Sequence, residues 1–216
     1  CSDYANAIVE SGADVTLCPV GGPSVSSALA AVMGIEAGSV EGEYAVVLCG
    51  GYDNKTDKIF EYQDIPTCKA VKSLYAGACG HGCLGYGDCV EACKFNAIGI
   101  VNGVAWVDRT NCVGCTACAK ACPNGIIAMV PKHSLTYVAC SSTDKGAVTR
   151  KACQVGCIGC RKCEKICKFD AVKVEDNKAV IDPQKCKNCG MCVRECPTGA
   201  IVKLPKPAKS AVSQVQ

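Results

Sequence analysis

Eight cysteines, Cys79, Cys83, Cys89, Cys93, Cys112, Cys115, Cys118 and Cys122, recur 74 residues later as Cys153, Cys157, Cys163, Cys167, Cys186, Cys189, Cys192 and Cys196. Phe95, Ala97 and Asp108 recur at the same offset as Phe169, Ala171 and Asp182. A chain built this way contains two small equivalent units of roughly 50 residues, a size that seldom buries enough apolar surface to fold alone. Aromatic residues make up only 5% of the sequence, so side chains other than large hydrophobics must organise each core. The thiols are the candidates, and folding is expected to depend on what they bind; the metal-free chain should be largely unfolded.

The second half of each copy reads CxxCxxCxxxCP, as Cys112, Cys115, Cys118, Cys122, Pro123 and as Cys186, Cys189, Cys192, Cys196, Pro197. This is the bacterial ferredoxin run, in which three close cysteines bind one [4Fe–4S] cluster and the fourth reaches the other. The small residues between them, Val113, Gly114, Thr116, Ala117 and later Gly190, let backbone N–H groups approach the sulfurs. The pattern predicts one cluster on Cys93, Cys112, Cys115 and Cys118, and its copy on Cys167, Cys186, Cys189 and Cys192. Lys94 and Lys168 stand where such runs usually carry proline, which does not affect ligation.

The first half of each copy is less regular. Cys157, Cys160 and Cys163 keep the CxxCxxC spacing and with Cys196 complete a third cluster, leaving Cys153 spare. The first copy lacks an equivalent of Cys160; Gly85 or Tyr86 falls there. Cys79 is available upstream of Cys83, so Cys79, Cys83, Cys89 and Cys122 are expected to form the fourth cluster through a widened loop, GCLGYGDC. Cys49, Cys68, Cys140 and Cys153 stay outside this count, as buried thiols, a disulfide or a further metal site. His81 and His133 have no ligand spacing.

Rival chemistries fit less well. Structural zinc usually takes two separated cysteine pairs, whereas here four runs share fourth ligands. A secreted disulfide scaffold does not explain repeated CxxC spacing. Cys153, Cys157 and Cys160 also read CxxxCxxC, the spacing of radical SAM enzymes, but the short remaining sequence is filled by ferredoxin runs and leaves no room for a barrel.

The formal net charge is +3, yet each oxidised cluster with its thiolates carries roughly −2, so four would turn the protein net acidic. The lysines are therefore no argument for nucleic acid, and no nucleotide fingerprint surrounds Gly21–Gly22 or Gly50–Gly51. Direct NAD or flavin binding is not expected. Residues 24–37 look helical, and Ala97–Val101 with Val104–Asp108 read as a hairpin turning at Asn102–Gly103. The second hairpin is Ala171–Val174 with Ala179–Asp182 around Glu175–Lys178. Ile126–Val130 and Ala200–Leu204 supply closing strands, and Tyr44–Cys49 and Thr136–Cys140 look like strands added to each unit. Ile98, Ile100, Trp106, Val172, Val174 and Ile181 are expected in the core. The predicted class is α+β: two tandem two-cluster ferredoxin-like units, 41–131 and 132–204, after a partial iron–sulfur domain at 1–40, with a disordered tail at 205–216.

Cys1 precedes Cys18 by 16 intervening residues, and Cys18 opens CPVGG. With Tyr4, Ala5, GCLGYGDC and GCIGC, these residues resemble the B subunits of Rnf complexes, membrane-bound ferredoxin:NAD oxidoreductases that pump sodium or protons. The resemblance implies that Cys1 and Cys18 are the last two ligands of a fifth cluster whose other cysteines, and a membrane-anchoring helix, lie upstream. A lipidated N-terminal cysteine is the competing account of Cys1. The resemblance further implies a chain on the cytoplasmic face of the membrane, with no turnover alone. It would take single electrons from reduced ferredoxin and pass them to other subunits of the complex. A soluble polyferredoxin subunit of another reductase or hydrogenase is the alternative, with the radical SAM enzyme behind it.

Overall fold

The computed structural model describes residues 1–36, 41–56, 66–73 and 78–205; the tail expected at 205–216 lies outside these from residue 206 onward. Two helices come first, α1 (Ser2–Ser11) and α2 (Gly22–Met33), each ended by a left-handed glycine, Gly12 and Gly34. They pack Ile8, Val15 and Ala30 into a small apolar cluster. The second helix stops earlier than the apolar run predicts because Gly34 takes φ 67° and turns the chain out of the helix.

The first repeated half contains β1 (Glu43–Val47), α3 (Cys68–Lys72), α4 (Asp88–Glu91), β2 (Ile98–Val101), β3 (Val104–Val107), α5 (Ala117–Ala121) and β4 (Ile127–Pro131). The second contains β5 (Thr136–Val138), α6 (Gly146–Ala152), α7 (Lys162–Ile166), β6 (Val172–Glu175), β7 (Lys178–Ile181), α8 (Met191–Glu195) and β8 (Ile201–Lys203). In each half a hairpin, β2–β3 or β6–β7, accompanies a second antiparallel pair, β1–β4 or β5–β8. Val47 lies opposite Ile127, and Val138 opposite Ile201. The strands preceding Cys49 and Cys140 thus close each half by pairing with its last strand. Among the described residues no helix is long and apolar enough to cross a membrane.

The repeat extends into the backbone. Left-handed φ values occur at 85, 87, 96, 102, 103, 114, 116 and 125, and again at 159, 161, 170, 176, 177, 188, 190 and 199, each pair 74 apart. Side-chain identity does not decide this: Thr116 answers to Gly190, and Gly87 to Arg161. The second hairpin therefore turns at Asp176–Asn177, tighter than the four-residue connection expected, and matches Asn102–Gly103. Gly85 and Gly159 also face a close approach. A Cβ there would stand 2.6 Å from the Gly103 carbonyl oxygen and 2.8 Å from that of Asn177, so each cysteine loop lies directly on its hairpin turn.

The two cores repeat in the same way. Cys89, Ile98, Ala105, Cys118 and Ile127 are buried together in one, and Cys163, Val172, Ala179, Cys192 and Ile201 in the other. Ile98 and Val172 are interior as expected, and Val174 and Ile181 half-buried. Trp106 and Ile100 are not in the core: they are 55% and 36% exposed. Burial does not alternate along β3: Val104 and Ala105 are both interior, and the strand becomes exposed at Trp106.

Candidate metal centres

The cysteines gather around cavities. Cys93, Cys112, Cys115 and Cys118 line one, with Phe95 and Met129 in its wall. Cys167, Cys186, Cys189 and Cys192 line its copy, with Phe169 and Met191. Cys157, Cys160, Cys163 and Cys196 surround a third. Each of these three sets is a group that the spacing predicts.

The fourth cavity differs from expectation. Cys83, Cys89 and Cys122 line it with Cys68, between Val47, Ile126 and Ile127. Cys79 lies instead in a larger neighbouring cavity. The loop between Cys83 and Cys89 is not widened, because Cys157 and Cys163 have the same separation and the loop glycines Gly85 and Gly87 repeat the left-handed positions of Gly159 and Arg161. Tyr86 occupies the position of Cys160, and the missing thiol arrives from outside the repeat on α3. The Asp88 carboxylate accepts the backbone N–H groups of Cys68 (2.7 Å) and Lys69 (3.2 Å), and Thr67 Oγ1 accepts from Ala70 (3.2 Å). These bonds satisfy the orphan donors at the start of α3 and hold Cys68 against the loop. Backbone groups of Asp88 and Tyr86 hydrogen-bond to its sulfur. Thr67 followed by Cys68 is a helix-start signal, but linear spacing does not connect it to Cys83.

The chemistry of the donors fits an iron–sulfur cluster. Backbone N–H groups donate to sulfur at equivalent places: Ala97 to Cys93, Ala171 to Cys167, Ala105 to Cys83 and Ala179 to Cys157, each at 3.4 Å. Ala45 on β1 adds a bond to Cys112 at 3.4 Å. All the cysteines are free thiols. Among the described residues no group of three or more His, Cys, Asp or Glu side chains is gathered to hold a single metal ion. Burial, reinforced by neighbouring cysteines, pushes the Cys89 thiol up to about 12 and Cys163 to about 11. Such thiols stay protonated near neutrality unless a metal replaces the proton. For Cys196 burial acts in the same direction, but backbone and side-chain hydrogen bonds from Thr198 and backbone bonds from Ile201 and Ala200 outweigh it and lower the value.

Cys1 is exposed at the start of α1, and half-buried Cys18 accepts the Gly21 N–H at 3.3 Å. Cys153 faces the larger cavity with Cys79, away from the one shared by Cys157 and Cys160, which separates the three cysteines of the radical SAM spacing. His81 also lines the larger cavity, where Nε2 lies 3.4 Å from Asp144.

A repeated fold with thiols around apolar cavities defines a ferredoxin-type iron–sulfur protein. The 4Fe-4S dicluster domain family matches residues 156–200, and the 4Fe-4S binding domain family matches residues 105–128, so [4Fe–4S] is the cofactor. The chain is 40% identical to the B subunit of the Na(+)-translocating ferredoxin:NAD(+) oxidoreductase complex of Acetobacterium woodii, over 93% of this chain and 61% of that protein. It is 40% identical to the B subunit of the ion-translocating oxidoreductase complex of Methanosarcina acetivorans, over 93% of this chain and 77% of the relative. For the B subunit of the proton-translocating ferredoxin:NAD(+) oxidoreductase complex of Clostridium ljungdahlii the identity is 42%, over 93% and 73%. The chain belongs to this family of Rnf complex B subunits.

Proposed function

We propose that the chain is the electron-carrying part of a B subunit in an ion-translocating ferredoxin:NAD oxidoreductase complex. It would accept single electrons from reduced ferredoxin and deliver them to other subunits, with NAD reduced elsewhere in the complex. The observation that carries this reading is the set of four cavities, each walled by four thiols and paired within two tandem ferredoxin-like units. Cys68, Cys83, Cys89 and Cys122 hold one [4Fe–4S] cluster, and Cys93, Cys112, Cys115 and Cys118 the next. Cys157, Cys160, Cys163 and Cys196 hold a third, and Cys167, Cys186, Cys189 and Cys192 a fourth. Cys1 and Cys18 belong, on the same reading, to an N-terminal cluster site, and the subunit works at the cytoplasmic face of the membrane.

When bound, each cluster supplies reversible one-electron chemistry. The chain's own residues tune and protect it. Val47, Ile126 and Ile127, with their counterparts in the other cavities, keep water from the sulfurs, and the alanine N–H donors stabilise negative charge on them.

Anaerobically purified protein should contain at least about 16 iron atoms and about 16 acid-labile sulfides per chain, about four of each per cluster. Reduced ferredoxin should then bleach its visible absorbance and produce reduced-cluster electron paramagnetic resonance signals. Zinc in place of iron would sink the reading, and iron-loaded protein that ferredoxin cannot reduce would remove ferredoxin as donor.

A further inference from the structure

The largest cavity described lies between the two halves, about 220 Å³ in volume, and four cysteines outside the sets just assigned line it: Cys49, Cys79, Cys140 and Cys153. Each half contributes two, from equivalent places. Cys79 and Cys153 are 74 residues apart, the offset of every repeated ligand. Cys49 and Cys140 follow the strands that pair with each half's last strand. Just before them, the Leu48 N–H donates to the Ile126 carbonyl and the Ala139 N–H to that of Ala200, both at 2.7 Å. Ile126 and Ala200 are themselves repeat partners.

The sulfurs converge across small residues. A Cβ on Gly82 would be 3.7 Å from the sulfurs of both Cys49 and Cys79, and one on Gly51 would be 3.4 Å from Cys153 and 3.7 Å from Cys49. The electrostatic influence of Cys79 reaches the Cys140 thiol as well. Backbone donors are arranged as in the four smaller cavities: the Cys83 N–H donates to the Cys49 sulfur at 3.3 Å. Its repeat counterpart, Cys157, makes the corresponding backbone bond to Cys140. The halves are pinned around this space by a β-bridge between Thr56 and Cys153 and by the Gln154 N–H on the Lys55 carbonyl at 3.0 Å. Ser141 Oγ adds a bond to the His81 carbonyl at 2.5 Å.

We propose that Cys49, Cys79, Cys140 and Cys153 hold a further [4Fe–4S] cluster shared by the two halves. The four thiols line one cavity, and the pseudo-symmetric donation of two cysteines per half suits a cube with four equivalent corners. The inference rests on the reading that the four smaller cavities also hold clusters, because that reading leaves these four cysteines unassigned.

Native mass spectrometry of the anaerobic protein, with iron and sulfide analysis, tests it. The wild-type chain should carry about 20 irons and about 20 sulfides, five clusters of about four irons each. The variants Cys79→Ser/Cys153→Ser and Cys49→Ser/Cys140→Ser should each carry about four fewer irons, with the remaining reduced-cluster signals unchanged. Should the variants fail to fold, the mass of Cys1→Ser/Cys18→Ser protein, which lacks the N-terminal cluster site, decides: five clusters support the shared one and four overturn it. A wild-type chain with four clusters, with a zinc ion added to four clusters, or with two disulfides in their place overturns this proposal and leaves the four-cavity reading intact. A wild-type chain without iron overturns both.

Discussion

At the scale of single residues, two glycines and one tyrosine carry the sharpest consequences. Gly85 and Gly159 combine left-handed φ values of 81° and 63° with a backbone oxygen where a side chain would begin. An alanine at either costs about 1–2 kcal/mol in conformation alone, and the contact adds to it. Gly85→Ala or Gly159→Ala should therefore hasten cluster loss to a chelator, followed as decay of visible absorbance, and by more than Gly12→Ala, which shares the left-handed φ but has open space around its missing Cβ. Tyr86 stands where the second copy has Cys160, in a loop of the same left-handed pattern. Cys68→Ala should remove about four irons, and adding Tyr86→Cys should restore them. Failure of that rescue would show that Cys68 does more than replace a thiol missing from the loop.

At the scale of elements, α3 exists to deliver one thiol, and the Asp88 carboxylate fixes its start. Losing such a cap costs about 1 kcal/mol. Asp88→Ala should release the iron of the Cys83 cavity first and leave the second half's signals untouched in a stepwise chelation experiment. The same element marks the limit of what linear spacing tells. Three cysteine sets, both hairpins and the strands before Cys49 and Cys140 are legible because their spacing is local and written twice. The membership of Cys68 is not, because a segment outside the repeat brings it, through a side-chain bond to a residue 20 positions away. Cys79 and Cys153 are opaque for the same reason: their neighbours come from opposite halves. The exposure of Trp106 is not legible either, since hydrophobicity alone points the wrong way.

At the scale of the whole molecule, the cores are cysteines with a thin apolar layer, so removing metal should remove the fold. Chelation under denaturant-free conditions should abolish most far-ultraviolet dichroism, and retention of native secondary structure would contradict that dependence. A further tie between the halves responds to pH. His133 lies in their connection, with Nδ1 on the Glu41 carboxylate and Nε2 3.1 Å from the Pro183 carbonyl. Both partners accept, so the doubly protonated ring satisfies them together. The Glu41 bond, then the Pro183 bond, raise its pKa above 6.5, while Lys187 opposes them. A raised folded-state value means the stabilisation is fully present below 6.5 and fades as pH climbs through the raised value. The advantage of wild type over His133→Gln in thermal unfolding should shrink across that interval; these side chains are largely solvated, so the effect is small.

The bonds between Lys55 and Gln154 and between His81 and Ser141 join the halves independently of the covalent link at 132–135. That link is thus one fastening among several, and its exposed Lys132 offers trypsin a place to cut. A chain nicked there should still migrate as one particle on a native sizing column and separate into two fragments only in denaturant.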